Sequence, residues 1–120
     1  MTEKTGDDLI NEARGRIREV HANEVIAMVE RGAAAVYLDV REPNEYNLGH
    51  LPNAVHIPRG NLELNVEGAV AKDAHVIVYC AAGVRSALAV DTLQQLGYVD
   101  VASLAGGFRE WAMSGGPVEG

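Results

Sequence analysis

The length, composition and charge of the chain exclude several classes of protein. Its 120 residues, 48% hydrophobic and 22% charged, suit one compact globular domain with a single core. A net charge of −7 argues against nucleic acid or an anionic membrane as a partner. The polar N-terminus lacks the apolar stretch of a secretion signal, and the single cysteine forms no internal disulfide, so we expect a cytoplasmic protein.

Helical and strand-like patterns alternate along the chain after a charged first segment. Residues 1–16 are interpreted as a short helix or a flexible extension, followed by a domain at 17–118. In chain order the patterns predict a strand at 17–20, a helix at 23–31, a strand at 34–40, a short helix from 41, a strand at 54–57, a helix at 61–66, a strand at 75–79, a helix at 85–96, a strand at 99–104 and a helix at 108–113. Strands that are connected through helices pair in parallel, so this order predicts an α/β fold.

The only cysteine, Cys80, lies on a tight turn between a predicted strand and a predicted helix. The turn spans residues 80–85 and reads Cys-Ala-Ala-Gly-Val-Arg. The N–H groups of such a turn point inward at the positive end of a helix dipole and bind anions. A helix N-terminus and a nearby arginine lower a cysteine pKa to about 3.5–7.5. We therefore interpret Cys80 as a reactive thiolate rather than as a small core residue.

Several polar residues accompany this turn at the predicted edge of the sheet. Arg85 adds positive charge where the helix dipole is already positive, and this local conflict favours a functional role, such as forked donation to an oxyanion. Ser86 either caps the helix or donates to the sulfur. Asp39 and Arg41 lie at the carboxyl end of another predicted strand, at the same edge, where they belong to the active-site rim or form a structural ion pair among the charged residues at 39–45.

The histidines have no spacing that indicates a metal site. His50 and His56 are separated by a proline turn and have no third ligand at a recognisable distance along the chain. His50 is expected to stabilise this turn through hydrogen bonds. A single cysteine also excludes a cysteine-based zinc site. We therefore predict no metal.

Three stretches, in this order, resemble the signatures of the rhodanese-like domain family. They are residues 38–58, which begin Leu-Asp-Val-Arg-Glu-Pro, residues 78–87 around Cys80, and residues 97–111, which include Leu-Ala-Gly-Gly-Phe. The resemblance implies a single domain with a five-stranded parallel sheet flanked by helices. It also implies a sulfurtransferase that moves sulfane sulfur from a donor such as thiosulfate to cyanide or a thiol through a Cys80 persulfide. It implies no metal or organic cofactor.

The resemblance also assigns roles by position. It makes Cys80 the nucleophile, Arg85 the substrate-binding cation and the backbone of the loop the anion cradle. The cradle residues are Ala81, Ala82, Gly83, Val84 and Ser86. Many family members carry further basic or polar residues in this loop, whereas this loop carries a single charge, which leaves the sulfur donor open. A small sulfur-containing anion, a thiol or cyanide acceptor and a sulfur-accepting protein are the candidate partners.

Two other functions compete with sulfur transfer. A phosphatase or arsenate reductase of the same shape needs five residues between its cysteine and arginine, whereas four separate Cys80 from Arg85. A non-catalytic interaction module is common among relatives that have lost the cysteine, which this chain retains. Loop length separates the first alternative from sulfur transfer, and persulfide formation separates the second.

Overall fold

Five short segments form the strands, the central ones from apolar runs such as Val-Ile-Val-Tyr at 76–79, and the segments between them form the helices. The structure is a computed structural model that describes residues 3–120, so the first two residues of the predicted extension lie outside the described residues. The strands are Arg18–Val20 (β1), Val36–Asp39 (β2), Val55–His56 (β3), Val76–Tyr79 (β4) and Val101–Leu104 (β5). The helices are Gly6–Arg16 (α1), Ala22–Glu30 (α2), Pro43–Asn47 (α3), Leu62–Ala69 (α4), Val84–Gln95 (α5) and Gly107–Met113 (α6), and a 3-10 turn at Arg59–Asn61 precedes α4.

All five strands pair in parallel, in the spatial order β1-β5-β4-β2-β3. The strand that precedes the cysteine, β4, is central and pairs with both β5 and β2. This arrangement confirms the predicted α/β fold with a five-stranded parallel sheet. Among residues 3–120, no helix combines the length and the apolar character that crossing a membrane requires.

Helices cover both faces of the sheet, which explains why β4 is apolar at every position. Val76 and Val78 pack with α4 and α5 on one face. Ile77 and Tyr79 pack on the other face with α2 and with Trp111 of α6. Side chains of adjacent strand residues point to opposite faces, so the two cores share this strand.

The connections after β4 and β5 position the site. The chain leaves β4 into α5 on one face of the sheet and leaves the neighbouring β5 into α6 on the other. Adjacent strands whose connections diverge in this way open a crevice at their carboxyl ends, where ligands bind in open α/β sheets. Cys80 follows β4 directly at this edge.

The segment before the first strand is helical and packs on α5. Thr5 caps α1, because its hydroxyl accepts from the N–H of Asp8 at 3.1 Å while the Asp8 carboxylate accepts from the N–H of Thr5 at 2.9 Å. Arg16 forms two hydrogen bonds of 2.9 Å with Asp91 of α5. Ala13 is buried. The division of the chain after residue 16 stays a prediction.

The predicted elements are present, and their ends differ from the prediction by up to three residues, the largest difference being the end of α4 at Ala69 rather than residue 66. The last strand illustrates the cause. Val99 is apolar and was included in the predicted strand, but it is 83% exposed. The ladder begins at Val101, opposite Val76 of β4. Pairing with the neighbouring strand, rather than apolar character, determines where this strand starts.

Candidate active site

The sulfur of Cys80 lies at the carboxyl end of the central strand, where backbone N–H groups converge on it. The residue is 1% exposed. Its Sγ accepts hydrogen bonds from the N–H of Gly83 at 3.1 Å and from the N–H of Ser86 at 3.3 Å. The hydroxyl oxygen of Ser86 lies 3.4 Å from the same sulfur. The loop therefore surrounds Sγ with donors.

Gly83 allows the tight turn that produces this arrangement. It is the N-cap residue of α5 and has a φ of 101°, in the region that favours glycine. A Cβ atom at this position would also lie 3.4 Å from the backbone N of Gly106, so the turn packs closely on the segment before α6. The first N–H groups of α5 have no acceptor within the helix. The turn directs one of them, the N–H of Ser86, towards the sulfur.

The N-terminus of α6 holds the loop from the opposite side. The N–H of Phe108 donates to the carbonyl of Cys80 at 2.8 Å, and the N–H of Arg109 donates to the carbonyl of Ala81 at 3.1 Å. Gly107 permits this approach, because a Cβ atom there would lie 2.5 Å from the Cys80 carbonyl oxygen. The loop carbonyls thus face α6, and the N–H groups face the sulfur. The sequence analysis identified the two glycines of this segment only as part of a family signature.

The surroundings of Cys80 act on its pKa in opposite directions. Burial raises the pKa of the thiol, because it disfavours the charged form. The Ser86 hydroxyl and the backbone N–H groups of Ser86, Gly83 and Ala82 lower this pKa by donating to the sulfur. The hydrogen bonds outweigh burial, so the pKa of Cys80 is lowered from its ordinary value of 9.0. The site favours ionisation of the thiol.

A second serine continues the hydrogen-bond chain behind the sulfur. The hydroxyl oxygens of Ser86 and Ser103 are 2.8 Å apart, and both residues are fully buried. Ser103 lies on β5, next to the central strand. When it donates to Ser86, the Ser86 proton is directed towards Cys80 Sγ. Ser103 was not predicted from the sequence, because no local pattern distinguishes it from another strand residue.

Arg85 is paired with a carboxylate from a distant segment. Its Nη1 and Nη2 donate to the two carboxylate oxygens of Glu45 at 2.8 and 3.0 Å. Glu45 belongs to α3 and precedes Arg85 by 40 residues. The Arg85 guanidinium lowers the pKa of Glu45 to about 2, so this carboxylate is charged at neutral pH. The sequence analysis did not predict this pair.

Asp39 and Arg41 form a separate, buried ion pair. Nη2 of Arg41 lies 2.8 Å from Oδ2 of Asp39 and also donates to the carbonyl of Gly49 at 2.7 Å. The guanidinium carbon is 4.3 Å from the centre of the Phe108 ring. The Asp39 carboxylate also accepts from the Arg41 N–H at 2.9 Å. These contacts tie the end of β2 to the turn before β3 and to α6.

The two histidines of the proline turn lie on either side of one tyrosine ring. Tyr46 stacks with His50 at 4.1 Å and with His56 at 4.3 Å between ring centres. Nδ1 of His50 lies 2.9 Å from the carbonyl of Leu51, and Nε2 of His56 lies 2.8 Å from the carbonyl of Arg41. Within residues 3–120, no group of three or more His, Cys, Asp or Glu residues is arranged to hold a metal ion.

Comparison with known proteins identifies the family. The family model described as Rhodanese-like domain matches residues 21–114, which include the loop, both ion pairs and the two serines. The chain belongs to this family. The match confirms the resemblance drawn from the three signatures.

The curated relatives are similar to this chain over different shares of their own length. YqhL of Bacillus subtilis, an uncharacterized protein, is 39% identical over 77 residues, which are 64% of this chain and 60% of that protein. The putative sulfur carrier protein YrkF of the same organism is 30% identical over 90% of this chain and 58% of its own length. This chain thus spans about three fifths of these two relatives. A sulfurtransferase of Allochromatium vinosum is 29% identical over 85% of this chain and 94% of its own.

Solved structures share the fold of this chain closely. A protein of unknown function from Rhodopseudomonas palustris, described as a possible tyrosine phosphatase, has a TM-score of 0.87 and 32% identity, and the match covers 99% of both chains. A rhodanese-related protein of Thermoplasma volcanium has a TM-score of 0.77 and 34% identity over 85% of this chain and 97% of its own. The first match therefore extends over α1 as well as the sheet.

Proposed function

We propose that this protein is a sulfurtransferase or sulfur carrier that works through a persulfide on Cys80. The observation that carries the proposal is the pair of N–H groups that donate to Sγ, from Gly83 and Ser86, with the Ser86 hydroxyl 3.4 Å from the same sulfur. Such donors stabilise negative charge on sulfur. The sulfurtransferase and the putative sulfur carrier among the relatives support the same chemistry.

In the first step, the Cys80 thiolate attacks the outer sulfur of a sulfane donor. A new S–S bond forms on Cys80, and the bond within the donor breaks. The electron pair of the broken bond leaves with the remainder of the donor, which is sulfite when the donor is thiosulfate. The terminal sulfur of the persulfide then carries the negative charge, and the inward N–H groups of the loop stabilise it.

In the second step, a nucleophile removes the outer sulfur. Cyanide or a thiolate attacks this sulfur, and the electron pair of the S–S bond returns to Cys80 as a thiolate. The N–H groups of Gly83 and Ser86 stabilise the leaving thiolate, which is the same species that began the cycle. Atoms and electrons balance without any further reactant.

Arg85 is proposed to bind the anionic part of the substrate. A guanidinium has five N–H donors, and Glu45 occupies Nη1 and Nη2 through one contact each. Among residues 3–120 the other three donors have no protein partner, and they are proposed to hold an anion beside the loop. Asp39 and Arg41 are proposed to support the loop through Gly49 and Phe108 rather than to contact the substrate.

Intact mass spectrometry tests the proposal. The protein is incubated with thiosulfate, and separately with an alkyl persulfide, beside a Cys80→Ser control. We expect the wild type to gain the mass of one sulfur atom, the control to gain none, and added cyanide to remove the sulfur as thiocyanate. If no donor adds sulfur to the wild type, the proposal is wrong and the non-catalytic interaction module becomes the better reading.

A phosphatase is the second candidate, because the Rhodopseudomonas palustris structure is described as a possible tyrosine phosphatase. The loop argues against this function, since only four residues separate Cys80 from Arg85. Hydrolysis of p-nitrophenyl phosphate provides the test. Hydrolysis by the wild type that is lost in Cys80→Ser would favour the phosphatase, and we expect none.

A further inference from the structure

The positive charge of Arg85, the arginine of the active-site loop, is compensated by a carboxylate. Both Nη atoms of Arg85 face the carboxylate of Glu45, and the two side chains are only partly exposed, at 35% and 29%. A second carboxylate, on Glu42, also acts electrostatically on Arg85. The one arginine of the loop therefore already has its counter-ion.

The neighbouring elements do not supply a compensating excess of positive charge. The first turn of α6 contacts the loop and carries Arg109 and Glu110, one charge of each sign. The chain as a whole has a net charge of −7. A dianion that approaches Cys80 therefore gains little attraction from the charged side chains around the loop, the chain as a whole repels it, and an ionised Cys80 adds one more negative charge.

The exposed part of the loop is apolar in addition to having its one positive charge compensated. Ala82 and Val84 are exposed beside the buried sulfur. Exposed methyl groups suit the carbon chain of an organic donor better than a sulfonate group, which needs hydrogen bonds or cations to replace its hydration.

We infer that the site takes its sulfur from organic persulfides of low charge in preference to the thiosulfate dianion, and that Glu45 sets this preference by neutralising Arg85. The inference rests on the proposed persulfide chemistry of Cys80. The Cys80 thiolate attacks the outer sulfur of R–S–SH, the Cys80–S bond forms, and the donor S–S bond breaks. The products are Cys80 persulfide and the thiolate R–S⁻, so charge and electrons balance.

A Glu45→Gln variant tests the role of this carboxylate. In the wild type, the Glu45 carboxylate accepts a hydrogen bond from the Glu42 N–H at 3.0 Å. The glutamine amide keeps an oxygen for this bond but removes the negative charge that compensates Arg85. Glu67→Gln is the matched control. Glu67 pairs with Lys72 at 2.8 Å before β4, at the edge of the sheet opposite the cysteine, so this variant makes the same change in net charge away from the site.

The rate of sulfur addition to Cys80 is measured for thiosulfate and for 2-hydroxyethyl persulfide, whose only ionisable group is its sulfane sulfur. In Glu45→Gln we expect the ratio of the thiosulfate rate to the persulfide rate to rise about fivefold, as removal of a partly exposed charge allows. Glu67→Gln should leave the ratio within twofold. Added salt should accelerate thiosulfate loading in the wild type more than in Glu45→Gln, because it screens like charges.

The outcomes separate this inference from the function on which it rests. If the wild type loads sulfur but neither variant changes the ratio of the thiosulfate rate to the persulfide rate, Glu45 does not set the preference. The inference is then wrong, while the persulfide chemistry stands. An equal rise in both variants would also overturn it, since net charge alone would then control loading. If neither donor loads sulfur in the wild type, the proposed function itself fails.

Discussion

Two arginine–carboxylate pairs lie near the active-site loop, and they differ in depth although their shortest contacts are equal. The shortest contact is 2.8 Å in both Asp39–Arg41 and Glu45–Arg85. The side chains of the first pair are 0% and 5% exposed, whereas those of the second are 29% and 35% exposed. Equal distances therefore correspond to very different surroundings.

Because of this difference in burial, we expect Asp39–Arg41 to stabilise the fold and Glu45–Arg85 to act on the charge of the site. A buried charge that loses its partner is strongly destabilising, because water no longer solvates it. Arg41 also contacts Gly49 and Phe108, so several segments depend on it. A partly exposed pair contributes little to stability, and water can replace either partner. The Glu45–Arg85 pair can thus control charge beside Cys80 without endangering the fold.

The largest effect is expected when the buried pair is broken. Asp39→Asn preserves the shape of the side chain but leaves the Arg41 guanidinium without a counter-ion in the interior. We expect the free energy of unfolding to fall by about 3 kcal/mol, measured by urea denaturation. A loss below about 1 kcal/mol, similar to that of an exposed pair, would remove the distinction between the two pairs.

An intermediate effect on stability is expected at the buried, uncharged pair of hydroxyls on Ser86 and Ser103. Ser103→Ala removes one neutral hydrogen bond, so we expect a loss of about 1 kcal/mol in the free energy of unfolding. The Ser86 hydroxyl loses the hydrogen-bond partner that orients it, and the pKa of Cys80 should rise. The pH dependence of Cys80 alkylation by iodoacetamide measures this pKa, with the exposed Ser114→Ala as control. An unchanged midpoint would limit Ser103 to packing.

The smallest effect on stability is expected at the partly exposed pair, Glu45–Arg85. Glu45→Gln should lower the free energy of unfolding by less than about 1 kcal/mol at pH 7. Because Arg85 lowers the pKa of Glu45 from 4.5 to about 2 in the folded protein, the pair stabilises the fold fully above pH 4.5. This contribution is lost as the pH falls towards 2.

Urea denaturation at pH 7 and pH 3 checks this dependence. The difference between wild type and Glu45→Gln should be smaller at pH 3, where the folded protein no longer gains the full benefit of the ionised carboxylate. A difference that grows on acidification would show that Glu45 acts through packing rather than through its charge.

The sequence by itself determined the order of the elements and the parallel α/β class. Apolar periodicity and turn residues act over a few positions, so they are readable along the chain. The loop from Cys80 to Ser86 was identified for the same reason: its glycine, its arginine and its flanking strand and helix are neighbours in sequence. The family resemblance rested on equally local signatures.

The contacts that complete the site were decided only by the tertiary structure. Glu45 reaches Arg85 across 40 residues, Ser103 reaches Ser86 from another strand, and Gly107 brings α6 against the loop. Nothing in the sequence around these residues shows which distant residue each of them will contact. They meet because parallel strands place their carboxyl ends at one edge of the sheet, and the packing of the connecting helices then determines which side chains touch.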